Sequence, residues 1–296
     1  MINTQSIIQK IDAYERLMRL DKPIGILLLL WPTLWALLIA GRGKPDWIVV
    51  LLFVTGTVLM RSAGCVMNDI ADSQYDGLVE RTQHRPLVSN QVSKKEAYIL
   101  TAVLSLVAFG LVCTLNMLTI KLSVIAMFLA LTYPYTKRFL AIPQAYLGIA
   151  FGWSIPMAFA AILGNIPPVA WVLLMANIAW AIAYDTEYAM VDRDDDLKIG
   201  IKSSAITFGR FDVLAVMICY GLTLLLLAIA GRWLLLGKVY YVGLALAACV
   251  AGYHYALIRM REKSSCFKAF LHNNWFGFFV FAGLAAHYLI QYKGHL

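Results

Sequence analysis

The chain has 296 residues, of which 61% are hydrophobic and only 14% charged, with a mean hydropathy of +0.71. That balance excludes an ordinary soluble domain and points to an integral membrane protein. A formal charge of +8 would suit nucleic acid, but its placement between apolar segments fits membrane topology instead, so no nucleic-acid partner is expected.

The N-terminal stretch MINTQSIIQKIDAYERLMRLDKP mixes acidic and basic residues and lacks an apolar core, so neither a signal nor a transit peptide is expected. Runs of about 20 apolar residues mark spanning helices, and nine are predicted in a single domain covering residues 1–296. The first two cover 24–40 and 47–67. The next two, 97–116 and 119–136, are divided only by Asn116 and Lys121. GNIPP, Gly164–Pro168, separates 142–163 from 169–189, and its Gly-Asn and Pro-Pro signals favour a turn. The last three run over 213–231, 239–258 and 273–291. Five cysteines, all but Cys266 inside apolar segments and without metal-type spacing, fit small core residues better than a disulfide or zinc framework.

The loops give orientation. With the N-terminus inside, 18 Lys and Arg residues fall on the inner side and 6 on the outer, and the remaining one of the 25 is Arg61, within the second helix. This bias predicts a cytoplasmic N-terminus. It also puts the segments after the second and sixth helices on that same side.

Acidic residues concentrate in those segments: of 17, four lie in 69–80 and six in 185–196. Asp72 and Asp76 are spaced i, i+4, as are Asp192 and Asp196, and each pair ends an even-numbered helix 120 residues from its counterpart. The correspondence hints at two pseudo-repeated halves with a shared site at their interface. Carboxylates at this spacing share a helix face and can hold a hard cation. Magnesium takes one or two protein carboxylates and completes its shell with water and phosphate oxygens, so facing Asp pairs point to Mg2+ bridged by a diphosphate. Arg81 and Arg85 follow the first cluster, Lys198 and Lys202 the second, and Lys137 and Arg138 lie in the loop between. Such cations would bind the excess phosphate charge. The plainer reading is a solvated charge run after a hydrophobic helix; Asp194 and Asp195 fit that reading or a supporting role, while Glu80 and Glu187 have no assignment.

Within the second helix, Arg61, Asn68, Asp72 and Asp76 drift slowly along one face. An intramembrane arginine is costly and normally faces a bundle interior or watery cavity. Asp185, Asp192 and Asp196 repeat the 7 and 4 spacing in the sixth helix, so Arg61 either binds a ligand or pairs with Asp185. Tyr133 and Lys137, i and i+4, would add a hydroxyl and a cation to the same cavity or serve as interfacial anchors.

NDIADSQYD with RTQHRP, YPYTK, and YDTEYAMVDRDDDLKIGIKS resemble the UbiA superfamily of intramembrane prenyltransferases, marked by NDxxDxxxD, YxxxK and a second DxxxD segment. RLDKPIGILLLLWPTLWAL, LGIAFGWSIPMAFAA and AYDTEYAMVDRDDDLKIGIKS are similar to its 4-hydroxybenzoate polyprenyltransferase branch, and the resemblance runs from about residue 14 to the ninth helix. It implies nine helices around a central cavity, Mg2+ as cofactor, and two substrates, polyprenyl diphosphate and 4-hydroxybenzoate. It further implies ubiquinone biosynthesis in a bacterial inner membrane, and no obligate protein partner is evident from the sequence. By motif, Asn68, Asp72, Asp76, Asp192 and Asp196 would carry the metal and diphosphate. Arg81, Arg85, Tyr133, Lys137 and Lys202 would support the diphosphate, Arg61 would face the aromatic carboxylate, and Asp185 would lie near the acceptor ring. The base that takes the ring proton is not identified. A transferase for homogentisate or a naphthoate would share the Asp motifs. A cation transporter would instead carry its acidic residues near the bilayer midplane.

Overall fold

The computed structural model describes residues 4–78 and 82–293, and every regular element among them is a helix. In chain order they are α1 (Thr4–Met18), α2 (Ile24–Ala40), α3 (Trp47–Asp72), α4 (Lys94–Val112), α5 (Met117–Thr136), α6 (Pro143–Gly152), α7 (Ser154–Leu163), α8 (Pro168–Ile199), the short α9 (Ser204–Phe208), α10 (Asp212–Trp233), α11 (Lys238–Ile258) and α12 (Lys263–Lys293). Among the described residues eight spans, counting α6 with α7 and α9 with α10 as single crossings, are long and apolar enough to traverse a membrane. The other predicted segment, Ile24–Ala40, is apolar but has 17 residues. At 1.5 Å per residue it covers about 25 Å, less than a hydrocarbon core of roughly 30 Å.

Local chemistry explains the helix ends. Asp46 caps α3 by accepting from Ile48 N at 2.8 Å, and Ser93 with Glu96 forms a reciprocal capping box at the start of α4. Asn116, one of the two polar residues dividing the predicted third and fourth helices, caps α5 by accepting from Thr119 N at 3.0 Å. Gly164 ends α7 in the left-handed region with φ +71°, a conformation cheap only for glycine, and Pro168 opens α8 at a position that needs no N–H donor. Three helices extend beyond their hydrophobic runs: α3 to Asp72, α8 to Ile199 and α12 back to Lys263. Apolarity marks the part of a helix in lipid, whereas hydrogen bonding carries it into the polar layer.

α8 is the pillar of the bundle. In its membrane-crossing stretch 67% of residues are buried, against 22%, 17% and 22% in α3, α4 and α5, whose outer faces meet lipid. Close approach to α6 depends on Gly148, where a Cβ would come within 2.8 Å of Ile178 Cα and where Asn177 Nδ2 donates to the carbonyl at 2.9 Å. On the opposite side a buried polar knot ties α8 to α10, α11 and α12. Tyr220 Oη donates to Glu187 Oε1 at 3.0 Å and lies 2.8 Å from Asn273 Oδ1 and from His254 Nδ1. Asn273 Nδ2 donates to Glu187 Oε2 at 2.8 Å, and Trp180 Nε1 donates to Asn273 Oδ1 at 2.9 Å. Glu187, unassigned in the sequence reading, is a packing residue held by these neutral donors.

Candidate active site

α3 presents Arg61, Asn68 and Asp72 along one face, but the helix stops at Asp72. The chain then turns, with Tyr75 N donating to the Asp72 carbonyl at 2.8 Å, and Asp76 begins a short 3-10 turn. Thr82 Oγ1 donates to the Asp76 carbonyl at 2.7 Å and brings the returning chain alongside. The first pair is therefore not a pair on one continuous helix. Arg85 ties Asp76 back to α3: its Nη1 lies 2.6 Å from Asp76 Oδ2 and 3.0 Å from Oδ1 of the fully buried Asp69. Arg19 reaches the same Asp69 oxygen at 2.6 Å. Burial pushes the Asp76 carboxyl up to about 6, against the opposing pull of the Arg85 guanidinium.

The second pair does lie on helix. α8 continues ten residues past the predicted end at 189, so Asp185, Asp192 and Asp196 share a face by their 7 and 4 spacing. Lys137, just beyond α5, spans the gap toward α3, its Nζ 3.2 Å from Asn68 Oδ1 and 3.4 Å from Asp72 Oδ2. All four aspartates line one polar cleft of about 130 Å³, together with Arg85, Tyr133, Lys137, Asp185 and Lys202. Lys202 is at its rim: its backbone N donates to the Lys137 carbonyl at 2.9 Å and its exposed ammonium to the Phe139 carbonyl at 3.1 Å. Arg81 lies outside the described residues.

Below the cleft opens a second cavity of about 1080 Å³, largely apolar and lined by α2, α3, α5, α8 and α12 among others. Arg85, Tyr133, Lys137, Asp185 and Tyr188 border both spaces, so the polar and apolar chambers meet at these five side chains. Arg61 sits in the deep chamber. It packs against Gly25, where a Cβ would fall 2.4 Å from its Nη2, donates to Cys65 Sγ, and keeps its buried Nε without a partner. Among the described residues no direct salt bridge joins it to Asp185, although the two charges face one another across the chamber. The Tyr184 hydroxyl in the same chamber is likewise buried and unpartnered. Buried polar groups left without partners cost about 1–3 kcal/mol each, so both groups suit a ligand that supplies acceptors.

Gly25, Gln144, Tyr184 and Tyr188 escaped the sequence reading. Only Tyr188 carried a detectable signal, because it falls between Asp185 and Asp192 at spacings of 3 and 4.

Divalent cations fit the donor set of the cleft. Among the described residues no three His, Cys, Asp or Glu side chains converge closely enough to form a closed metal site. Magnesium does not require one, since it takes one or two carboxylates and retains water or phosphate oxygens. Asp72, Asp76, Asp192 and Asp196 bring hard oxygens to one cleft.

Comparisons with known proteins agree with this architecture. The family model described as the UbiA prenyltransferase family matches residues 29–282. The chain is 62% identical to 4-hydroxybenzoate octaprenyltransferase of Dechloromonas aromatica (strain RCB), over 98% of each chain. The structure resembles the apo form of a UbiA homolog from Aeropyrum pernix K1 with a TM-score of 0.77 at 26% identity, covering 90% of this chain and 98% of that one. It also resembles a UbiA homolog from Archaeoglobus fulgidus bound to GPP and Mg2+, with a TM-score of 0.68 at 17% identity, over 92% and 99% of the two chains.

Proposed function

Because the chain belongs to the UbiA prenyltransferase family, we propose that it transfers a polyprenyl group from polyprenyl diphosphate to the ring carbon of 4-hydroxybenzoate ortho to the hydroxyl, releasing diphosphate. The product is an intermediate of ubiquinone biosynthesis. The observation that carries this reading is the meeting of an aspartate-lined polar cleft with an apolar cavity that contains a buried arginine. One substrate has a diphosphate head and a hydrocarbon tail, and the other has a carboxylate opposite its reacting end.

The first chamber suits the head group. Asp72, Asp76, Asp192 and Asp196, with Asn68, would hold Mg2+, which when bound neutralises charge on the diphosphate. Lys137 and Arg85 supply fixed positive charge at the same place, and Lys202 adds a cation at the rim. Arg81 joins them by motif alone. Tyr133 offers a hydroxyl where the chambers meet. In the deep chamber the Arg61 fork matches a benzoate carboxylate, so the phenol end is held toward the cleft, where Asp185 stands. Apolar walls exclude water that would otherwise hydrolyse the allylic substrate. They also take up the tail by area alone, at about 0.8 kcal/mol for each buried methylene.

The basic-residue bias supports a single-domain inner-membrane protein whose N-terminus and polar cleft face the cytoplasm. Purified protein given geranyl or octaprenyl diphosphate, 4-hydroxybenzoate and Mg2+ should form the 3-prenyl product. If homogentisate or a naphthoate were prenylated with higher kcat/KM, the assigned acceptor would be wrong.

A further inference from the structure

Between the polar cleft and the deep chamber lies an aromatic cluster. On α8, Tyr188 follows Asp185 by three residues and precedes Asp192 by four, so all three share a helix face. With 1.5 Å rise per residue, Tyr188 stands about 4.5 Å along the axis from Asp185 and about 6 Å from Asp192. Its ring borders both chambers. Phe270 and Phe267, in the second turn of α12, line the deep chamber beside it, with ring centroids 4.8 Å and 6.2 Å from that of Tyr188. Tyr184 completes the cluster, 6.4 Å from Phe270.

Resting on the function proposed above, we infer that Tyr188, backed by Phe270 and Phe267, is a catalytic residue whose ring stabilises the allylic cation formed during transfer. The reacting carbon must sit between its leaving group and its acceptor, and Tyr188 occupies that level of α8. When the C1–O bond breaks, both electrons leave with diphosphate and the allyl unit becomes cationic. The ring carbon ortho to the phenol then donates a π pair to C1, forming the C–C bond, and the displaced ring proton passes to a diphosphate oxygen. A positive charge within about 6 Å of an aromatic face is attracted by the ring quadrupole, most strongly where water is absent. Tyr188 itself carries neither a positive charge that would repel the cation nor a carboxylate that would trap it, and Phe270 and Phe267 pack against it at interplanar angles of 51° and 46°.

The test uses the full-length protein with geranyl diphosphate, Mg2+ and 4-hydroxybenzoate, and compares Tyr188→Phe, Tyr188→Leu and Phe270→Leu. Geraniol release without acceptor reports ionisation separately from transfer. Tyr188→Phe keeps the ring and should remain within about threefold of wild type. Tyr188→Leu should lower kcat for both transfer and geraniol release about tenfold or more, while both KM values stay within about twofold. Phe270→Leu should move the same quantities in the same direction by a smaller factor, and stands as the test if Tyr188→Leu does not fold. Unchanged kcat in the folded leucine variants would overturn the inference. So would equal damage in Tyr188→Phe and Tyr188→Leu, which would assign the role to the hydroxyl. A wild-type protein that releases geraniol but never prenylates 4-hydroxybenzoate would instead overturn the acceptor assignment and leave the cation-stabilising role standing.

Discussion

Asp72 and Asp76 have the same spacing as Asp192 and Asp196, but the two pairs are built differently. α3 ends at Asp72, and Asp76 is brought back by a 3-10 turn, the Thr82 hydroxyl and Arg85. α8 carries both members of its pair on continuous helix. The settings differ too, since α3 is 22% buried along its membrane stretch and α8 67%. One half of the cleft therefore depends on side-chain contacts across a loop, and the other on backbone geometry fixed by the most enclosed helix. A cleft with one stiff wall and one assembled wall can adjust to a charged ligand without moving its pillar.

The largest expected effect tests whether the two pairs are chemical equals despite this difference. Asp72→Asn and Asp192→Asn should each lower turnover about a hundred- to thousandfold, the scale seen when one stabiliser of developing charge is lost. Both variants should remain folded, since Asn keeps the size and shape of the side chain. If Asp192→Asn retained wild-type turnover at limiting Mg2+ while Asp72→Asn did not, the wall on α8 would be scaffolding only.

A second measurement sharpens the contrast in burial. Asn273→Ala strips partners from Glu187, Tyr220 and Trp180 around α8, and should destabilise the protein by about 2–4 kcal/mol in detergent unfolding. Leu51→Ala on the lipid-facing side of α3, where Leu51 is 55% exposed, should cost only about 0.5 kcal/mol. Similar losses at both positions would mean that α8 is no more central than α3.

The smallest effect concerns the deep end of α3. Arg61→Lys keeps the charge and loses the fork, so KM for 4-hydroxybenzoate should rise about tenfold while KM for the prenyl diphosphate stays nearly constant. Arg61 has no carboxylate partner among the described residues, so the melting temperature should hold. A matching rise in both KM values with a large fall in melting temperature would make Arg61 structural.

The sequence exposes the helical fold because lipid demands long apolar runs, and it exposes the aspartates because charge is rare in such a chain. It did not disclose that α3 ends between Asp72 and Asp76, because the i, i+4 arithmetic assumes a helix that continues. Gly25 is silent in sequence: its role is to leave room for Arg61, and an absent side chain carries no pattern. Gln144 is equally silent, although its Oε1 accepts from Ser204 N at 2.9 Å and it lines the polar cleft. The Arg85 contact to Asp69 depends on the return path of the loop rather than on residue spacing. Tyr188 is readable by helical periodicity, but tyrosines are common in membrane helices and carry less signal there than a charge.

The polar knot on α8 also bears on how the protein is made. A carboxylate in a spanning helix costs about 2.5–3.5 kcal/mol at the helix centre and less toward its ends, and α8 carries Asp185 and Glu187 in the last turns of its apolar stretch. The donors that satisfy Glu187, Tyr220 and Asn273, are encoded 33 and 86 residues further on. Asn273 is thus synthesised well after α8. The secure residence of that helix in the bilayer waits for α10 and α12, which ties membrane integration of the middle of the chain to completion of its C-terminal third.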